Sequence, residues 1–139
     1  MEAQFKAART LTSAMIAAVF LYALIAFALK GQGYGATSEG KMNFMRMIVA
    51  FVVIVQIMLA FAMHKMMGAL KEKKRLITFQ VMVNVFCEAI ALFGLVLFFM
   101  SKNFMDYAIF AVISLGAFAC FFPRRKKWIT DSDNPNRGI

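Results

Sequence analysis

The sequence predicts an all-α fold, an integral membrane four-helix bundle with both termini in the cytoplasm. Three observations carry that expectation. The 139 residues are 62% hydrophobic and 17% charged, with a mean hydropathy of +0.71, whereas a soluble domain is roughly 45–50% apolar and about 25% charged. The apolar residues gather in four stretches of about 20, the length a helix needs to cross hydrocarbon. The basic residues fall mostly on one side of those stretches. Composition therefore excludes disorder and argues against a water-soluble enzyme.

The expected spans are 10–29, 44–63, 76–99 and 104–122, within a membrane domain of 1–129 followed by a polar tail, 130–139. Their apolar character is continuous rather than alternating, which favours helices over barrel strands. The first span is too long for a signal-peptide core and lacks an Ala-x-Ala site near Lys30, so it is expected to be retained.

Orientation follows from the sixteen Lys and Arg residues. Twelve lie at the N-terminus (Lys6, Arg9), in the middle connection (Lys65, Lys71, Lys73, Lys74, Arg75) and in the tail (Arg124, Arg125, Lys126, Lys127, Arg137). Four lie in the other connections: Lys30, Lys41, Arg46 and Lys102. The positive-inside rule places the twelve in the cytoplasm. The net charge of +9 thus reads as an orientation device rather than a nucleic-acid surface. Arg124, Arg125, Lys126, Lys127 and Trp128 read as lipid and interface anchors. The expected location is a bacterial inner (cytoplasmic) membrane.

Between the first two spans, the segment Gly31-Gln-Gly-Tyr-Gly-Ala-Thr-Ser-Glu-Gly40 is Gly-rich without phosphate-loop spacing. It is expected to be a flexible loop. A duplication into two helical hairpins is also suggested. A shift of 66 residues aligns Arg9-Thr-Leu-Thr12 with Arg75-Leu-Ile-Thr78, and a shift of 60 aligns Asn43-Phe-Met45 with Asn103-Phe-Met105. Under this alignment Tyr22 takes the place of Glu88.

Glu88 is the candidate site. Of seven acidic residues it alone falls near the middle of a span. An ionised acid there costs about 2.5–3.5 kcal/mol on insertion scales, so the residue is a functional candidate by default. Burial favours the neutral acid until charge or water approaches, which is what a proton carrier needs. Gln80 and Asn84 lie on the same face at four-residue spacing. The other spans bring Tyr22, Gln56 and Ser114 to similar depth, and this set is the expected supporting network. Two alternatives stay open: a permanently protonated Glu88 acting as interhelical glue, and a contact to lipid or quinone.

Residues Cys87 to Leu97 read Cys-Glu-Ala-Ile-Ala-Leu-Phe-Gly-Leu-Val-Leu. This resembles the carboxylate-bearing helix of the rotary ATP synthase c subunits and V-type proteolipids, typically Glu-Ala-Leu-Ala-Ile-Tyr-Gly-Leu-Val. Glu88, Ala89, Ala91, Gly94, Leu95 and Val96 match, over one helix of four. The resemblance implies that Glu88 binds a coupling ion, and Ala89 resembles the proton-binding type. The pattern also departs from the family. No span carries a Gly-x-Gly-x-Gly run, Lys71-Glu-Lys-Lys-Arg75 replaces the polar loop, and another span follows the carboxylate helix.

Other chemistry has little support. His64 is the only histidine and sits among Met63, Met66 and Met67 at a span edge, where a snorkelling imidazole is the ordinary explanation. Cys87 and Cys120 lie at different depths, which disfavours a disulfide. No catalytic motif is present, so no enzyme activity, metal or cofactor is expected. The expected partners are the bilayer and either further copies of the chain or a larger membrane complex. Two functions remain: a proteolipid-like subunit binding a proton at Glu88 within an ion-translocating or respiratory complex, or an accessory scaffold with a static Glu88.

Overall fold

A computed structural model describes residues 2–30, 39–69 and 73–124. It contains four helices: α1 (Glu2–Leu29), α2 (Glu39–Ala69), α3 (Lys73–Ser101) and α4 (Phe104–Phe121). All four are long and apolar enough to cross a membrane. In hydrocarbon the backbone must satisfy its own polar groups, and the helix does so within one segment. The first three helices run past the expected spans into polar sequence. Arg46, counted with a connection by its charge although it falls within the expected span 44–63, lies inside α2. Segments 31–38, 70–72 and 125–139 lie outside the described residues, as do the expectations for the Gly-rich loop, Arg125, Lys126, Lys127, Trp128 and the tail. Arg124 is exposed.

The α3–α4 connection is two residues long, and local chemistry sets it. Lys102 adopts φ 57°, and its N–H donates to the Phe98 carbonyl at 2.7 Å, closing α3 with a left-handed cap. Asn103 then caps α4, its side-chain oxygen accepting from the Met105 N–H at 3.1 Å. Asp106 in the first turn of α4 suits the positive end of that helix.

This short turn makes α3 and α4 a tight pair, and α3 packs against all three other helices. One core cluster joins Val19 and Ala26 of α1 to Val83, Cys87, Ala91, Tyr107 and Phe118, with Ala60 of α2. A second joins Met42 and Val53 of α2 to Ile90, Leu97 and Phe110. Small residues permit the close approaches, though not all those on α1 are used. Ala8 and Ala26 are buried, Ala18 and Ala23 partly so, and Ala14, Ala17 and Ala28 face outward. Large apolar side chains such as Phe20, Leu24, Phe51, Met58 and Val112 cover the exterior, as a lipid-facing surface requires.

Candidate functional site

Glu88 lies near the midpoint of α3 and is half-buried. The Tyr22 hydroxyl, on α1, donates to its Oε1 at 2.8 Å. This is the carboxyl group's single hydrogen bond among the described residues, and no cation pairs with it there. A carboxyl oxygen accepts such a bond whether the group is neutral or ionised. Glu88 borders the outward face of α3, where Val85 and Leu92 are exposed on either side of it in sequence. The site opens sideways, toward the surface that meets lipid.

The other members of the expected network do something different. Gln80 and Asn84 are each only 1% exposed, and they point into the core rather than toward Glu88. Gln80 donates from Nε2 to the Asn84 Oδ1 and to the Phe121 carbonyl, both at 3.1 Å. Asn84 donates from Nδ2 to the Thr12 Oγ1 at 2.8 Å, and Thr12 donates to the Ala8 carbonyl at 2.8 Å. The chain of bonds clasps α1, α3 and α4 together. Removing its α1 link should weaken the bundle modestly, because membrane hydrogen bonds average about 0.6 kcal/mol and reach about 1.7. Thr12→Val is expected to lower stability by about 1 kcal/mol in a detergent unfolding titration, with Glu88 chemistry unchanged.

Ser114, fully buried, donates to the Cys87 carbonyl at 2.6 Å. It ties α4 to α3 and does not hydrogen-bond Glu88. Gln56 does not reach Glu88 either, since its Oε1 is buried without a hydrogen-bond partner. Of the five supporting residues expected, Tyr22 alone bonds the carboxyl group. His64 packs against Phe121, with ring centroids 5.2 Å apart. Both cysteines are free, and no cluster of three metal-binding side chains occurs among the described residues.

Comparison of the chain with family models, with curated proteins and with solved structures returned no match. The likeness of residues 87–97 to the rotary carboxylate helix therefore stands on those residues alone.

Two features escaped sequence reasoning. The Tyr107 hydroxyl, buried in the core, donates to the Val19 carbonyl at 2.6 Å and ties α4 to α1. Arg46 forms a forked ion pair with Asp106 across α2 and α4. Its Nε donates to Oδ1 at 3.0 Å and a terminal nitrogen donates to Oδ2 at 2.9 Å. The other terminal nitrogen donates to the Asn43 Oδ1 at 3.0 Å. A signal for the pair existed. An arginine within an apolar span needs a partner, and Arg46 and Asp106 directly follow the aligned Asn-Phe-Met triplets.

Proposed function

We propose that this chain is a small, non-catalytic, proteolipid-like membrane subunit that binds and releases a proton at Glu88 for a larger ion-translocating or respiratory assembly. The observation that carries this reading is the lone Tyr22–Glu88 hydrogen bond on the lateral face. The buried polar groups Thr12, Gln80, Asn84, Tyr107 and Ser114 are spent on fastening helices together. Glu88 is the mid-span carboxyl group, partly exposed and with one oxygen uncommitted. An intramembrane acid placed this way suits exchange with a neighbouring subunit better than internal glue.

In this reading Tyr22 holds the carboxyl group in one orientation. The resemblance of residues 87–97 to the rotary carboxylate helix supports the same role. So does the duplication. Tyr22–Glu88 spans 66 positions and Arg46–Asp106 spans 60, the two offsets at which the sequence repeats. Equivalent positions of two hairpins would then meet in pairs. Both termini and the α2–α3 connection face the cytoplasm by the distribution of positive charge.

The test is chemical. Dicyclohexylcarbodiimide attacks protonated carboxyl groups in apolar surroundings, so intact membranes carrying the protein should yield Glu88 as the labelled residue in peptide mass spectra. Glu88→Gln should abolish both labelling and any proton flux of the native assembly while the complex still forms. Tyr22→Phe should leave labelling in place and alter its rate. Unlabelled Glu88, or undiminished proton flux in Glu88→Gln, removes the proposal.

A second reading has one observation in its favour: the Tyr22–Glu88 bond also links α1 to α3. On this view the chain is an accessory scaffold with Glu88 permanently protonated. It predicts full function in Glu88→Gln. Isolation under mild detergent separates the two further, since a scaffold should travel with stoichiometric partner proteins.

A further inference from the structure

The end of the bundle where α1 and α3 finish and α2 and α4 begin carries four cations: Lys30, Lys41, Arg46 and Lys102. Asp106 neutralises Arg46. Two acids, Glu39 and Asp106, stand at this end, so positive charge exceeds negative by two, and among the described side chains no salt bridge reaches the three lysines. Lys30 instead rests over the Phe104 ring, 5.8 Å from its centroid.

Beside this cationic rim, a groove of about 420 Å³ is lined by Gly40, Lys41, Phe44, Met45 and Met100. Its size falls within the roughly 300–1,000 Å³ of sites that hold small molecules. Among the described residues the lining is apolar except for Lys41, which is exposed. Gly40 contributes open space, for a methyl group there would meet nothing within 4 Å. The apolar span of α2 begins at Gly40, so the groove straddles the level at which lipid headgroups give way to acyl chains.

We propose that this groove binds one anionic phospholipid, with an acyl chain along Phe44, Met45 and Met100 and the headgroup phosphate against the Lys41 ammonium. The occupant has to be apolar along its length and anionic at one end, which describes a phospholipid. A soluble anion would meet a single exposed ammonium and a wall of apolar atoms. A second copy of the chain would bring the same net-positive end, four cations against Glu39 and Asp106, to Lys41. Lys30 and Lys102 add to the attraction, each lysine near a lipid surface favouring an anionic headgroup by about fivefold. The site is separate from Glu88, and its occupancy does not depend on any role for that residue.

The probe is a nanodisc containing equal amounts of phosphatidylglycerol and phosphatidylcholine, from which the full chain is released into mild detergent and weighed by native mass spectrometry. The wild type should carry one phosphatidylglycerol in preference to phosphatidylcholine, by about fivefold or more. Lys41→Gln should lose that preference and Lys41→Arg should keep it. Gly40→Trp, which fills the groove, should carry neither lipid. Circular dichroism identifies any variant that fails to fold, and the Lys41 pair decides the matter if Gly40→Trp does. Equal retention of the two lipids by the wild type overturns the proposal. So does a Lys41→Gln protein that keeps its preference, or a dimer whose groove is closed by the second copy.

Discussion

Gly94→Ala should destabilise the bundle by about 2 kcal/mol, within the range of about 1–3 for overpacking a well-filled core, and Gly94→Leu should abolish the native fold. A Cβ at position 94 would lie 2.6 Å from the Phe110 Cβ, and 3.4 Å from both the Phe110 Cγ and the Tyr107 carbonyl oxygen. The closest of these atoms is joined directly to the α4 backbone. Rotation of the Phe110 ring cannot move it, so α3 and α4 must part. These two helices form the tight pair against which α1 and α2 pack, and separating them disturbs both core clusters. Gly116 is the matched control, with nothing within 4 Å of a Cβ there. Gly116→Ala should be neutral or stabilise the helix, by up to about 1 kcal/mol from propensity alone. Unfolding in mixed detergent micelles, followed by circular dichroism, gives the comparison. Equal midpoints for the two Ala variants would exclude a close crossing at Gly94.

Arg46→Met should cost about 2–4 kcal/mol, because it leaves Asp106 largely buried without its cation. The Asp106 side chain is 11% exposed and that of Arg46 36%. Their unpaired states therefore differ. Freed of its partner, the guanidinium can turn toward water on its long stem, whereas the short carboxylate cannot. Asp106→Ala should accordingly cost less than Arg46→Met, and the order of the two is the first check. The second is exchange: Arg46→Asp combined with Asp106→Arg should recover part of the loss, giving a coupling energy of about 1–3 kcal/mol. Additive costs in that double-mutant cycle would mean that the forked contact contributes nothing to the association of α2 with α4.

The number of helices and their approximate positions were legible because lipid leaves the chain few choices. A long apolar run must close its own backbone hydrogen bonds, and hydropathy marks where such runs begin and end. The helix ends were less legible. Nothing in hydropathy stops a helix at the edge of the hydrocarbon, so α1 continues back to Glu2 and α2 on to Ala69. Capping chemistry decided the α3–α4 turn, and Asn103 is a readable cap residue.

The candidate site was half legible. Glu88 stood out because a carboxyl group in hydrocarbon is costly wherever the neighbouring helices lie. Its partner was not legible, since Tyr22 and Gln56 sit at comparable depth. The rotation of α1 and α2 about their axes selected Tyr22 and left the Gln56 Oε1 without a partner. Gln80 and Asn84 share a helical stripe with Glu88 and read as its support. They are instead covered by α1 and α4, and Thr12 and the Phe121 carbonyl take up their hydrogen bonds.

By itself the sequence determined the solvent, the count of four helices, the bias of positive charge and the one acid that a span must accommodate. Each follows from transfer of residues between water and hydrocarbon, which acts residue by residue and needs no knowledge of neighbours. Tertiary structure alone decided which polar groups meet. It turned Gln80 and Asn84 into a clasp, gave Arg46 its carboxylate, and set Tyr22 over Glu88 on the lateral face. Hydrogen bonds and ion pairs act over about 3 Å, so they depend on how neighbouring helices are rotated and spaced. The packing of small residues such as Gly94 and Ala26 governs that arrangement.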